Sequence, residues 1–271
     1  MRVLVPGGAG FLGSDFVKRL VAAGDEAVVL DRLTNFGNLA RLEGVPHEFV
    51  QGDIADAVTA TGAADGCQAI VNFAAETNLD SSGRASGGFI VTDVYGTHVL
   101  LEFARVAGIR YVQVSTSEAN RPGTAPAASK AGADLQVQAY VEENRLNGTV
   151  IRAVNAYGPF QHPAAEPAAA IVRALDGEGP PPETLSGLWV HADDHSAAVE
   201  AVLREGAPGE TYRVGEEDDA LGALGWEPTR TLEDGLAETV EWYRSRRDWW
   251  EPMRSRTNTP SPEAQYARRD A

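Results

Sequence analysis

The sequence predicts a doubly wound α/β domain, a parallel sheet covered by helices on both faces, followed by a smaller C-terminal lobe. Three observations carry that expectation. Short, continuously apolar runs alternate with amphipathic stretches through the first half of the chain. A glycine-rich loop joins the first run to the first helix, and an aspartate closes the second run.

Val3-Leu4-Val5 reads as a buried strand, ended by Pro6 and the glycine loop. Leu12, Phe16, Val17, Leu20 and Val21 then recur at helical spacing, and Gly24 stops the helix. Further strands are expected at 27–30, 69–73, 111–115 and 149–152. Helices are expected between them at roughly 55–63, 84–107 and 127–146, the last stopped by Asn147-Gly148. After Arg152 the pattern loosens. Residues 156–187 are rich in Pro, Ala and Gly, including Gly179-Pro180-Pro181-Pro182. A strand then a helix is expected within 188–204, one more strand at 210–214, and a long amphipathic helix at 232–244. The polar tail from Arg254 reads as disordered or loosely attached. The implied division is a main domain at 1–155 with 188–215 returning to it, a lobe from 156–187 and 216–250, and a tail at 251–271.

Composition narrows the function classes. A chain of 271 residues can bury a sizeable core, and its single cysteine, Cys67, excludes a disulfide framework. No apolar run approaches the roughly 20 residues that span a bilayer, and no basic-then-apolar leader opens the chain. With 23 basic against 39 acidic residues the formal charge is −16, so the mean field repels a nucleic-acid backbone. The expectation is a soluble, cytoplasmic protein that works on a small molecule rather than on nucleic acid or membrane.

The loop Pro6-Gly7-Gly8-Ala9-Gly10-Phe11-Leu12-Gly13 carries the most chemistry. Gly7 is expected to make the tight turn, Gly10 to let a diphosphate approach the backbone, and Gly13 to let the helix pack on the strand. The free N–H groups and partial positive charge of the helix start then face the phosphates. Glycines alone would equally suit a helix-initiating loop. Here the loop follows the first strand, the second strand ends in Asp31, and the third runs into Gly52-Asp53-Ile54. Asp31, 18 residues past Gly13, is placed to accept from two ribose hydroxyls, which selects NAD over NADP; Arg32 beside it leaves that selectivity open.

These segments resemble the extended short-chain dehydrogenase/reductases, nearest to dTDP-glucose 4,6-dehydratases and related NAD-dependent sugar-nucleotide epimerases. The likeness lies in Gly-Gly-Ala-Gly-Phe-Leu-Gly, Gly52-Asp53-Ile54, Asn72-Phe73-Ala74-Ala75-Glu76-Thr77, Ser115-Thr116-Ser117-Glu118 and Asn155-Ala156-Tyr157-Gly158-Pro159. It continues through Ala192-Asp193-Asp194-His195 to Leu224-Gly225-Trp226-Glu227-Pro228. The resemblance implies a Rossmann-type fold with a truncated substrate lobe, bound NAD, and a nucleotide sugar or related polyol as substrate. It implies cofactor contacts at Gly7, Gly10, Phe11, Leu12, Gly13, Asp31, Arg32, Asp53, Ile54, Ala74, Ala75 and Lys130. Substrate contacts are implied at Asn78, Asn155 and Tyr157, although Asn155 serves equally well as a turn residue. For Asn72, satisfying buried backbone groups is the stronger reading. A homodimer through the helices at 84–107 and 127–146 is also implied, with Tyr95, Leu100, Leu101, Phe103, Leu135, Val137 and Tyr140 supplying apolar surface; the other reading is that most of these face the chain's own sheet.

The catalytic pattern departs from that family. Its proton-abstracting Tyr stands four residues before the Lys, and here that position is Pro126. Where the family has its Asp acid this chain has Ser117, a far weaker acid, whereas Thr116 and Glu118 are retained. Gly187 replaces a phosphate-gripping Arg, and Asn78 replaces a His. Only 11 residues separate Glu118 from Lys130, and eight separate Gly215 from Leu224, both shorter than in the family. The cofactor half is intact while the catalytic half is trimmed. Thr116, Ser117, Glu118 and Lys130 are therefore the catalytic candidates. Lys130 or Glu118 are possible replacement bases, and His162 and His191 are weaker candidates that packing explains equally well. One reading is an NAD-dependent lyase or isomerase of natural-product metabolism that does not carry out standard 4,6-dehydration. The other is a catalytically silent NAD-binding relative. The Ala-Asp-Asp-His junction reads as helix capping, and no residue cluster has metal-binding spacing.

Overall fold

The computed structural model describes residues 1–34, 38–76, 86–216 and 218–254. In chain order its elements are β1 (Arg2–Pro6), α1 (Phe11–Ala22), β2 (Glu26–Asp31), a 3₁₀ turn (Leu39–Leu42), β3 (Glu48–Gln51), α2 (Ala57–Ala64) and β4 (Ala69–Asn72). Then come α3 (Ser86–Phe89), a π-helical stretch (Ile90–Gly96), α4 (Thr97–Ala107), β5 (Arg110–Thr116), a 3₁₀ turn (Ser117–Asn120) and α5 (Ala125–Asn144). The rest are β6 (Gly148–Ala153), β7 (Asn155–Tyr157), α6 (Ala168–Leu175), β8 (Trp189–His191), α7 (Ala192–Glu205), β9 (Thr211–Val214), α8 (Asp219–Ala223), α9 (Leu232–Ser245) and α10 (Arg247–Arg254). Seven strands form one parallel sheet in the order β3-β2-β1-β4-β5-β6-β9, and β7 pairs in parallel with β8. This is the doubly wound α/β architecture that the sequence predicts.

The apolar strands are continuous because both faces of the sheet are covered. Along β1, Val3 and Val5 face one core with Phe16, Val17 and Leu20 of α1 and Val199 and Val202 of α7. Leu4 between them faces the other, with Leu100, Leu101 and Ala104 of α4 and Val137 of α5. Each of these side chains is essentially inaccessible to solvent, so truncating Leu4 to Ala would cost about 2–5 kcal/mol. Strand order reverses between β1 and β4, and a crevice opens there at the carboxyl ends of the strands.

The lobe has its own core of Ala168, Ile171 and Val172 from α6 with Tyr243, Trp250 and Met253. Trp250 is fully buried and its indole N–H donates to the Tyr243 carbonyl at 2.7 Å, while Trp249 packs edge-to-face with Phe160 and Trp242. Helix α10 runs to Arg254, so residues 251–254, assigned to the tail on sequence grounds, pack with the lobe through Met253. The tail beyond them lies outside the described residues. At the start of α7 the cap is His191, whose side chain accepts from the Asp193 N–H. Buried Asp194 instead accepts from the Thr229 N–H and hydroxyl and from the Arg230 N–H, clamping that segment onto α7.

The expected apolar pairing face is smaller than the sequence suggests. Leu100, Leu101 and Val137 are buried in the chain's own core, and Phe103 and Tyr140 pack against it. Tyr95 and Leu135 remain exposed, together with Val106.

Candidate cofactor and active site

At the end of β1 the chain turns tightly. The Gly7 N–H donates to the Leu30 carbonyl at 2.9 Å, and the Gly10 N–H donates to the Gly7 carbonyl at 3.0 Å. Gly7 adopts φ +75°, and a Cβ there would lie 2.7–2.9 Å from backbone atoms of Phe73 and Ala74. Gly13 is required for a different reason from the one its spacing suggests. A Cβ there would run into the backbone of Gly7 and Gly8 within the loop itself, rather than into β1. Gly10 caps α1 without a side chain, and no acidic residue occupies the first turn, so its N–H groups stay available to an anion.

Asp31 closes β2 beside this loop. Its carboxylate accepts from the Leu33 N–H at 2.8 Å and the Ala9 N–H at 3.1 Å. Burial raises its pKa from the ordinary carboxylate value, and those two hydrogen bonds oppose the rise. Each carboxylate oxygen retains a further lone pair for a hydroxyl donor. Arg32 pairs with Asp53 at 2.9 Å and with Glu76 at 3.0 Å, which ties β2 to the loops after β3 and β4. Ile54 is buried against Gly96, and Asn72 shapes the exit of β4 by accepting from the Ala74 N–H while donating to Tyr111 and Gln113.

A cleft of about 510 Å³ joins these parts. Its walls include Gly7, Gly10, Phe11, Leu12, Gly13, Asp31, Arg32, Asp53, Ile54, Ala74 and Ala75. Thr116 and Lys130 line the same cleft, with Arg41, Gln161 and His162. Lys130 donates to the Val114 carbonyl at 3.1 Å, and the Thr116 hydroxyl oxygen accepts from the Glu118 N–H at 3.3 Å. Behind Lys130 lie two buried carboxylates. Asp93 accepts from the Ser129 hydroxyl at 2.6 Å and the Glu76 N–H at 2.9 Å, and Asp134 accepts from Ser115 and Arg152. Burial raises the pKa of both, opposed first by the Lys130 charge at Asp93 and by Arg152 at Asp134. His162 is held near 4, below the usual histidine value, by burial and then by the Arg41 charge, so its imidazole is neutral at pH 7.

A cleft that gathers a carboxylate, a helix start and a lysine along its walls fits a dinucleotide. The match to known proteins is decisive. Residues 3–215 match the NAD dependent epimerase/dehydratase family.

The chain belongs to that family.

Among its relatives, the dTDP-glucose 4,6-dehydratase of Streptomyces niveus is 33% identical over 323 aligned positions, covering 94% of this chain and 96% of the relative. The low-salt glycan biosynthesis protein Agl12 of Haloferax volcanii is 36% identical, covering 90% of this chain and 98% of the relative. Among solved structures, a double mutant of the dTDP-glucose 4,6-dehydratase DesIV of Streptomyces venezuelae, crystallised with NAD, is 35% identical. It has a TM-score of 0.84, with coverage of 93% of this chain and 100% of that one. The 323 aligned positions exceed the 271 residues of the chain, so it lacks residues at dozens of positions present in that relative. The family is NAD-dependent, and its members act on nucleotide sugars as dehydratases and epimerases.

The remaining sequence candidates fall in different places. Ser117 is half-buried on the turn after β5 and outside the cleft lining, and Glu118 is exposed there. The turn is drawn toward β6 because Arg152 donates to Asn120 at 2.5 Å. Tyr157 is not brought to the cleft. Its ring is buried against His191 and Trp189 and presses on Gly235, since the alternation of β7 turns it into the lobe junction. Asn155 is exposed on β7 and also outside the cleft lining. Asn78 lies outside the described residues. Arg41, Gln161 and Thr92 line the cleft without having been picked out by sequence. The sequence around Arg41, between leucines at 39 and 42, gives no sign that it is buried.

Proposed function

We propose that this family member binds NAD through the Asp31 corner and the glycine loop, and acts on a nucleotide sugar or related polyol without the family's standard 4,6-dehydration route. One observation supports this reading above the others. Thr116 and Lys130 share the cleft with the complete cofactor cradle, while the position four residues before Lys130 is Pro126. Pro126 sits in the first turn of α5, where its missing N–H costs nothing and Thr124 caps the helix by accepting from the Ala127 N–H. No proton can be taken up there.

When bound, NAD supplies a hydride acceptor that can return the hydride. The chain's own groups then bind and orient. Asp31 accepts ribose hydroxyls, and Asp53 and Ile54 border the adenine. The α1 N-terminus meets the diphosphate. The Lys130 ammonium spends one donor on Val114, leaving others for a ribose or substrate oxygen, and the Thr116 hydroxyl donates beside it. Glu118, exposed as it is, stands as a rim group rather than the central base. Exposed Tyr95, Val106 and Leu135 on the π-stretch, α4 and α5 support a homodimer, and a cytoplasmic role in natural-product metabolism completes the reading.

The test is turnover of a nucleotide-sugar panel followed by NMR, with wild type and Lys130→Met. Product formed by wild type and lost in the variant supports the enzyme. Bound NAD released on denaturation, with no turnover across the panel, favours a silent relative, a reading that the exposure of Glu118 also supports.

A further inference from the structure

A carboxylate at position 31 favours a free 2′-hydroxyl on the adenosine ribose, yet the residue that follows it is a cation. In dinucleotide-binding folds an arginine near this acidic position is what accommodates the 2′-phosphate of NADP. Arg32 stands there and lines the cleft. Burial raises the pKa of Asp31, and the Arg32 charge is close enough to act against that rise.

In this chain the guanidinium is engaged elsewhere. Its Nη1 donates to Asp53 at 2.9 Å and its Nη2 to Glu76 at 3.0 Å, so carboxylates from two different loops share one charge. Each carboxylate residue is itself anchored. The other Asp53 oxygen accepts from the Ala55 N–H at 2.9 Å, and the Glu76 backbone N–H donates to buried Asp93 at 2.9 Å. Asp53 lines the cleft, whereas Glu76 lies outside the cleft lining with its side chain only 6% exposed. A guanidinium held by two carboxylates offers a phosphate dianion little net attraction. Turning it toward a phosphate would also take a charge-assisted hydrogen bond from a buried carboxylate.

We propose that Glu76, together with Asp53, is a specificity-determining residue that selects NAD over NADP by keeping the Arg32 charge from a 2′-phosphate. Asp31 then does not act alone: it accepts the ribose hydroxyls while Glu76 withholds the neighbouring cation. This rests on a dinucleotide occupying the cleft, which NAD binding by the wild type tests separately.

The experiment measures the affinity of NAD and of NADP for each protein by calorimetry, with competition where binding is weak. The readout is the preference, the NADP dissociation constant divided by that of NAD, in which any change in adenine binding cancels. Wild type should prefer NAD, and Arg32→Gln should alter that preference by less than threefold, because the charge is already committed. Glu76→Gln, which keeps the shape but not the charge, should reduce the preference at least tenfold. Adding Arg32→Gln to Glu76→Gln should return it to within threefold of wild type. An unchanged preference in Glu76→Gln overturns the proposal. So does a reduction that persists in the double variant, since it would reflect loss of a negative charge alone. A tenfold larger preference in Arg32→Gln would show that the guanidinium already serves a phosphate, and overturns it as well. Wild type that binds no NAD refutes the cofactor reading and the proposal with it, whereas the other adverse results leave that reading standing. Should Glu76→Gln not fold, Asp53→Asn, which releases the other edge of the guanidinium, is judged by the same ratio with and without Arg32→Gln.

Discussion

Replacing Gly7 with Ala tests the cradle where its walls meet. The residue holds φ +75°, which costs an L-residue about 1–2 kcal/mol. The new Cβ would stand 2.7 Å from the Ala74 nitrogen and 2.8 Å from the Phe73 carbonyl carbon. Ordinary contacts are about half an ångström or more longer, and both atoms are backbone, so the loop or the exit of β4 must shift. Overpacking of this kind adds about 1–3 kcal/mol. The summed expectation is a loss of about 2–5 kcal/mol in urea unfolding. Because the two walls that separate are the walls of the dinucleotide cleft, NAD affinity should fall about 30- to 100-fold, as one or two charge-assisted hydrogen bonds weaken. Gly24→Ala is the control, since its φ is +86° but nothing lies within 4 Å of its Cβ. That variant should lose only the conformational part and keep its NAD affinity. Calorimetric titration and urea unfolding of both proteins decide the matter. If Gly7→Ala matches Gly24→Ala in stability and binds NAD within threefold of wild type, the steric reasoning is wrong.

Other expectations concern pH, catalysis and assembly. His195 is fully buried and held near 4 by burial alone, with neither ring nitrogen hydrogen-bonded among the described residues. A histidine pKa depressed in the fold means that the unfolded chain takes up the proton first. Stability is therefore full above about 6.5 and declines toward pH 4, by about 3 kcal/mol for this group. His195→Leu should flatten that decline in urea titrations between pH 7 and 4, and an unchanged slope would assign the acid sensitivity elsewhere. Pro126→Tyr alone should not restore 4,6-dehydration, because Ser117 and the shortened loops still lack the acid and the pocket wall. Appearance of a 4-keto-6-deoxy sugar by NMR would refute this. Leu135→Glu, exposed on α5, should shift sedimentation from dimer to monomer without loss of stability, whereas a monomeric wild type would remove the pairing face.

Much of the fold was legible because it rests on local pattern. Val3-Leu4-Val5 and its counterparts read as strands since both faces of each are buried, and Gly7, Gly13 and Asp31 announced the cleft by their spacing. What was not legible depends on contacts between distant segments. Arg41 is buried by Phe160 and Trp249, 119 and 208 positions further along, and nothing near Leu39 or Leu42 announces them. Tyr157 belongs to a recognisable motif, but which face of β7 it takes is set by packing against His191 and Gly235. Glu118 keeps its place in a familiar segment, yet the short turn held by Arg152 and Asn120 leaves it in solvent. Leu100 and Val137 illustrate the same limit, because helical periodicity does not distinguish a helix's own core from a partner's.

The most direct measurement is a calorimetric titration of NAD into the wild-type chain and Asp31→Ala, joined to a crystal structure of the wild-type complex. One NAD per chain, ribose hydroxyls on the Asp31 carboxylate and at least tenfold weaker binding by the variant are the predicted results. Absence of NAD binding by wild type, or a bound dinucleotide that leaves Asp31 untouched, would contradict the cofactor assignment on which the reading of this cleft depends.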